Sequence, residues 1–225
     1  MADTEPPTKR RRVDFSETLC VLVGEDKKAF TVHKDIITTR SPYFSAAASA
    51  RWNSASHKDI TLAHDKPAIF SEYLQCLYLS IVETDGKLET DIFDLYLLAD
   101  KLGDLVSANV VMDCIINWHA VDDVIPTVKA IGHVFDNTAP ESKLRRLMVD
   151  YWVHESNSDA FVEAVTEAAK LGYTEVMEAL LLEFGKVVAE RCASKIVDAF
   201  GQGVGDRAKC HYHQHDEACP PCAAG

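Results

Sequence analysis

The apolar period of this chain changes between Leu62 and Lys66, and that change constrains its architecture more than any other feature. Before it, apolar residues come as the short continuous run "LCVLV" (19–23) and in alternation in "AFTVH" (29–33) and "DITLA" (59–63). Such runs predict strands, and the "GEDKK" turn chemistry between the first two makes them a β-hairpin. Two short helical pieces, "KDIITTRS" and "SPYFSAAAS", follow the hairpin. They break at Ser41-Pro42, because a residue before proline is pushed out of the α region.

Beyond Lys66 the period is helical. Lys66–Leu79 aligns Ile69, Phe70, Tyr73, Leu74, Leu77 and Tyr78 on one stripe. Asp91–Leu102 aligns Ile92, Leu95, Tyr96, Ala99 and Leu102, with Thr90 or Asp91 placed to cap it. Ser107–His119 carries Val110, Val111, Cys114, Ile115 and Trp118. Short strands wrapped by about five helices predict an α+β domain, a small β-sheet flanked by a helical cluster.

An all-helical extension is expected over 121–200. Val124–Val134 has Pro126 in its first turn, where proline is tolerated. Thr138 and Glu141 have capping-box spacing ahead of Leu144, Leu147, Met148, Tyr151 and Trp152. Ser158 is placed to cap a helix that ends at Gly172, and another runs from Thr174 to about Ala199. Residues 1–16 are polar, without an apolar period, and are expected to be disordered. The glycines of "GQGVG" make 201–225 a flexible joint and tail. The expected domains are therefore 1–16, 17–120, 121–200 and 201–225.

At 225 residues and 47% hydrophobic, the chain can bury a sizeable core. No apolar run is long enough to cross a bilayer, so no membrane partner is expected. The start lacks a hydrophobic signal segment, which points inside the cell, to nucleus or cytoplasm, with the seven cysteines reduced rather than paired. A net charge of −12 argues against a general nucleic-acid surface. Its one basic run, Lys9, Arg10, Arg11 and Arg12, lies beside two prolines and has the form of a nuclear-localisation tract. No acid, base and nucleophile converge in any motif, so no catalysis is expected and no catalytic residue is assigned.

Residues 19–47, "LCVLVGEDKKAFTVHKDIITTRSPYFSAA", resemble the opening of a BTB/POZ domain. Trp52, "DITLA", "FSEYLQCLYLS" and "LYLLADKLGD" (95–104) follow in family order, so the resemblance covers about Glu17 to Ala120. The region beyond, including "LRRLMVDYWV" (144–153) and the Cys/His tail, is similar to fungal BTB proteins that lack a following propeller or zinc-finger array. The resemblance implies a protein-interaction module with protein partners: self-association as a homodimer, recruitment into cullin-based ubiquitin ligases as an adaptor, or transcriptional co-repression. The cullin-binding versions often carry a hydrophobic-x-acidic motif after the Ser-Pro-Tyr-Phe helix. Here no acidic residue lies between Ser45 and Lys58, which weakens the adaptor reading. The co-repressor pocket uses an acid just before the first strand, where Thr18 aligns. Dimerisation is expected through the first helices, Asp35–Ser49.

The resemblance marks His33, Lys34, Ser41, Pro42, Tyr43 and Phe44 as the family motif, and His33 with Lys34 as pins of the strand-to-helix turn. It also makes Trp52 a loop clasp rather than an exposed partner anchor. One further constellation stands apart. "CHYHQHDEACPPC" places six potential metal ligands in thirteen positions. Cys219-x-x-Cys222 has the spacing of a zinc-binding pair, and Cys210 with His213 has the same spacing, with His215 as an alternative. Four such ligands leave no open position, so the expected cofactor is a structural zinc ion. A DNA-associated regulator using the basic leader and this tail is a third reading, which the net negative charge disfavours.

Overall fold

The computed structural model describes residues 12–49, 59–122, 124–194, 211–216, 219 and 222. The chain divides into two compact units, Met1–Pro67 and Ala68–Gly225. That boundary falls inside the stretch 17–120 expected as one domain, where the apolar period changes.

In the first unit, β1 (Thr18–Val23) and β2 (Lys28–His33) pair antiparallel, and β3 (Ile60–Leu62) adds to the other side of β1 in parallel. The sheet order is β2-β1-β3. The expected hairpin is present, with Leu19 opposite Val32 and Val21 opposite Phe30. Val21, Val23, Val32 and Leu62 are buried, as period-2 patterning requires. The helices α1 (Lys34–Arg40) and α2 (Pro42–Ala48) contribute Ile37 and Phe44 to this core. Gly24 makes the hairpin turn possible. Its φ is +80°, its N–H donates to the Leu62 carbonyl at 3.0 Å, and a Cβ there would stand 3.0 Å from the Pro67 ring.

The second unit is helical: α3 (Pro67–Leu79, from Ala68), α4 (Glu89–Lys101), α5 (Leu105–Asp122), α6 (Val128–Asp136), α7 (Lys143–His154), α8 (Ser158–Leu171) and α9 (Thr174–Ser194). The α4 stripe Ile92, Leu95, Tyr96, Ala99 and Leu102 is buried as expected. In α3 the buried face turns toward Cys76, and Tyr78, expected on the stripe, is exposed. In α5 it runs through Ala108, Val111, Met112 and Ile115, and Val110, Cys114 and Trp118 lie half-buried at its edge.

Every cap expected beyond residue 89 moves. Helix α4 starts at Glu89, so Thr90 and Asp91 lie inside its first turn. Helix α6 is capped by Thr127, whose hydroxyl accepts from Ala130 N–H, leaving Pro126 outside. Helix α7 is capped by Ser142 instead of Thr138, which donates its hydroxyl to the Val134 carbonyl and accepts from Arg145. Helix α8 is capped by Asn157, whose side chain accepts from Ala160 at 2.9 Å, one residue before Ser158. At α7 and α8 another oxygen-bearing residue within four positions competes for the same orphan N–H groups, whereas α4 is preceded by Leu88, which makes no side-chain cap bond.

The helices α6 to α9 pack around Ile131, Val134, Leu147, Met148, Phe161, Ala168, Val176 and Leu180. Arg145 closes the end of α6, reaching the carbonyls of Phe135 and Thr138 with its guanidinium 4.6 Å above the Phe135 ring. Gly132 admits the Tyr173 ring against α6, for a Cβ there would lie 2.5 Å from it.

Candidate functional site

Two groups of residues gather the chemistry singled out by the sequence. The first is a clasp at the start of α1 and α2. His33 ends β2 and occupies the position before α1 without a side-chain cap bond. Its ring receives the edge of Phe15 at 5.3 Å between centroids. Lys34 ties back to Glu17 twice, by its N–H to the carbonyl at 2.9 Å and by its ammonium to Glu17 Oε2 at 2.7 Å. Asp14 N–H donates to Asp35 Oδ2 at 3.0 Å. The Ser16 hydroxyl and N–H both donate to Asp14 Oδ1, which holds the Asp14 carboxyl below its ordinary range. Residues 12–16, expected to be disordered, therefore run against α1, with Val13 46% and Phe15 61% exposed.

The break between the helices is a cap. Ser41 is fully buried, its side-chain oxygen accepts from Phe44 N–H at 3.2 Å, and Pro42 occupies the first helical position. Pro42 has no N–H to leave unsatisfied there. Phe44 is buried and meets Tyr43 edge-on, while Tyr43 is exposed.

The second group joins the tail to α4, α5 and α7. Tyr212 is 1% exposed and donates its hydroxyl to Asp150 Oδ2 at 2.9 Å. Asp150, fully buried on α7, also receives Arg146 Nε at 3.1 Å. Gln214 N–H donates to Asn109 Oδ1 at 2.9 Å, and Asn109 Nδ2 donates to the Gln214 carbonyl at 2.8 Å. The Gln214 side chain donates to the Tyr96 hydroxyl and to Asp100 Oδ1. Burial pushes the Tyr96 hydroxyl up to about 12, so it remains protonated at neutral pH. Lys143 Nζ reaches the His211 carbonyl at 3.1 Å. Six consecutive residues, 211–216, are thereby strapped along the helices.

Within the strap, His213, His215 and Cys222 each present a ligand atom, and these atoms lie within 4.8 Å of one another. His213 Nδ1 faces Cys222 Sγ at 3.1 Å, and its Nε2 lies 2.9 Å from Asp113 Oδ1. His215 Nδ1 lies 3.2 Å from the Cys219 carbonyl, while its Nε2 is buried without a hydrogen-bond partner among the described residues. Cys219 Sγ stands outside that trio and receives Asn109 Nδ2 at 3.4 Å.

Residues 12–108 match the family model described as BTB/POZ domain. The chain carries a BTB/POZ domain. A domain of this family is a protein-interaction module. No curated protein matches the chain.

The structure brings together three of the five expected metal ligands and places Cys219 next to them, while Cys210 lies outside the described residues. Trp52, the joint 201–205 and three residues of the basic tract, Lys9, Arg10 and Arg11, also lie outside them; Arg12 is described and exposed. Three polar residues of the second unit escaped the sequence reading. Asp104, fully buried, accepts from Ser107 N–H at 3.0 Å, from the Ser107 hydroxyl at 2.8 Å and from Tyr73 at 3.2 Å, capping α5 where the BTB/POZ segment "LADKLGD" ends. Its Asp-x-x-Ser spacing was the available signal. Asn109 and Asp150 sit at interior helix positions, and their partners in the tail lie 62 to 110 residues away.

Proposed function

We propose that the chain self-associates through its BTB/POZ domain and works as a non-catalytic scaffold that presents paired surfaces to protein partners. The observation that carries this reading is the segment 12–16. It sets Phe15 beside His33, at the start of α1, while leaving most of the ring exposed, with Val13 about half exposed. Ordering an aromatic residue on the surface without burying it suits a contact with a second copy, because its freedom is already spent before association. The family's use of its first helix for self-association supports the same face. Through Lys9–Arg12 the scaffold would be imported into the nucleus, consistent with the exposure of Arg12.

Light scattering on the full chain across a concentration series tests the proposal. The expected result is a dimer that Phe15→Glu weakens at least tenfold, about 1.4 kcal/mol, with unchanged far-UV circular dichroism. A wild type that stays monomeric at every concentration overturns it. Recovery of a stoichiometric cullin from cells, undisturbed by Phe15→Glu, would replace it with the adaptor reading.

A further inference from the structure

We infer that the C-terminal strap is closed by a zinc ion, held by His213, His215 and Cys222 with Cys219 as the fourth ligand. The ion would close the tail on itself, and the contacts of Gln214, His213 and Tyr212 hold the closed tail against α4, α5 and α7.

The donor geometry comes first. A tetrahedral zinc ion, about 2.0–2.1 Å from imidazole nitrogen and about 2.3 Å from thiolate sulfur, spaces its ligand atoms by about 3.5 Å. The three ligand atoms already lie within 4.8 Å of one another, with 3.1 Å between His213 Nδ1 and Cys222 Sγ. Small movements would admit the ion.

The outer contacts are those a metal-bound imidazole needs. Asp113 faces His213 Nε2 at 2.9 Å, which directs the Nδ1 lone pair toward Cys222. The Cys219 carbonyl faces His215 Nδ1 at 3.2 Å, which directs the Nε2 lone pair the other way. That Nε2 is buried and has no hydrogen-bond partner among the described residues. A buried imidazole nitrogen without a partner is unfavourable, and a bound metal removes that cost. His213 itself is 6% exposed, so this group is not a chance meeting of surface side chains.

Cys219 completes the set by the spacing of its pair with Cys222 and by its surroundings. Asp216 and Cys219 are joined twice, by Asp216 N–H to the Cys219 carbonyl at 3.1 Å and by Cys219 N–H to Asp216 Oδ1 at 2.8 Å. Asn109 already donates to its sulfur at 3.4 Å. To reach the ion, that sulfur would turn away from Asn109. Two thiolates balance the charge of zinc, and two sulfur with two nitrogen ligands suit this metal above magnesium or calcium. All four positions are filled, so the site is structural.

The test uses the full chain, reconstituted with zinc and desalted, with metal measured by mass spectrometry. One zinc per chain is expected, falling below a tenth of an equivalent in His215→Ala and in Cys222→Ser. Cobalt substitution should give the intense visible bands of a tetrahedral thiolate site. Asp113→Asn should keep the stoichiometry and weaken affinity about 10- to 100-fold, the mark of a positioning residue. Chelation should speed proteolytic removal of the tail while circular dichroism of the helices persists. A wild type that retains no zinc, or variants that retain as much as the wild type, overturns the site. Loss of zinc on Cys210→Ser but not on Cys219→Ser overturns the assignment of the fourth ligand.

Discussion

The clasp around His33–Phe44 and the strap over 211–216 both hold chain ends against helices, yet they are built from opposite materials. In the clasp, the Ser41 cap spans three residues and the Lys34–Glu17 pair spans seventeen. In the strap, Tyr212 reaches Asp150 across 62 residues, and Gln214 reaches Asn109 across 105 and Tyr96 across 118. The clasp can form as soon as its own segment does. The strap needs α4, α5 and α7 already packed, because its partners come from all three. A local device of this kind is set by sequence order, and a distant one by tertiary structure.

The contrast can be broken at three points. Phe44→Ala empties the centre of the clasp and should cost about 3–5 kcal/mol of global stability, read as a lower urea midpoint. Tyr212→Phe takes a hydroxyl donor from the buried Asp150 side chain and should cost about 1–3 kcal/mol. Its effect should be largest on the strap, seen as faster amide exchange at 211–216 with the exchange of α1 and α2 unchanged. Equal acceleration in both regions would erase the distinction between them. Ser41→Ala sharpens the comparison with the smallest change. Loss of one cap should cost about 1 kcal/mol and leave exchange in the strap as it was.

The same contrast explains what could be read from the residues alone. The period-2 runs located the hairpin and β3, and Ser41-Pro42 located the break between α1 and α2, because each depends on neighbours in the chain. The buried stripe of α4 was legible for the same reason. Caps were misplaced at Thr138 and Ser158, where the chain offers competing oxygens and packing selects one, and at Asp91, where the residue before α4 is Leu88, which makes no side-chain cap bond. The tail announced itself by its ligand spacing. Its dependence on Asn109, Asp113 and Asp150 did not, since each reads as one more polar residue on an amphipathic helix. Nor did the order of residues 12–16, which rests on a single aromatic, Phe15, and on Asp35 twenty-one positions after Asp14.

The seat of Tyr173 against Gly132 has a consequence for how the rear helices can evolve. Tyr173 follows Gly172, whose φ of +76° turns the chain from α8 into α9. One ring thus keys the α8–α9 corner into a notch on α6, by shape and without charge. Salt should leave that alignment untouched, whereas adding a single methyl at position 132 would pry three helices apart together.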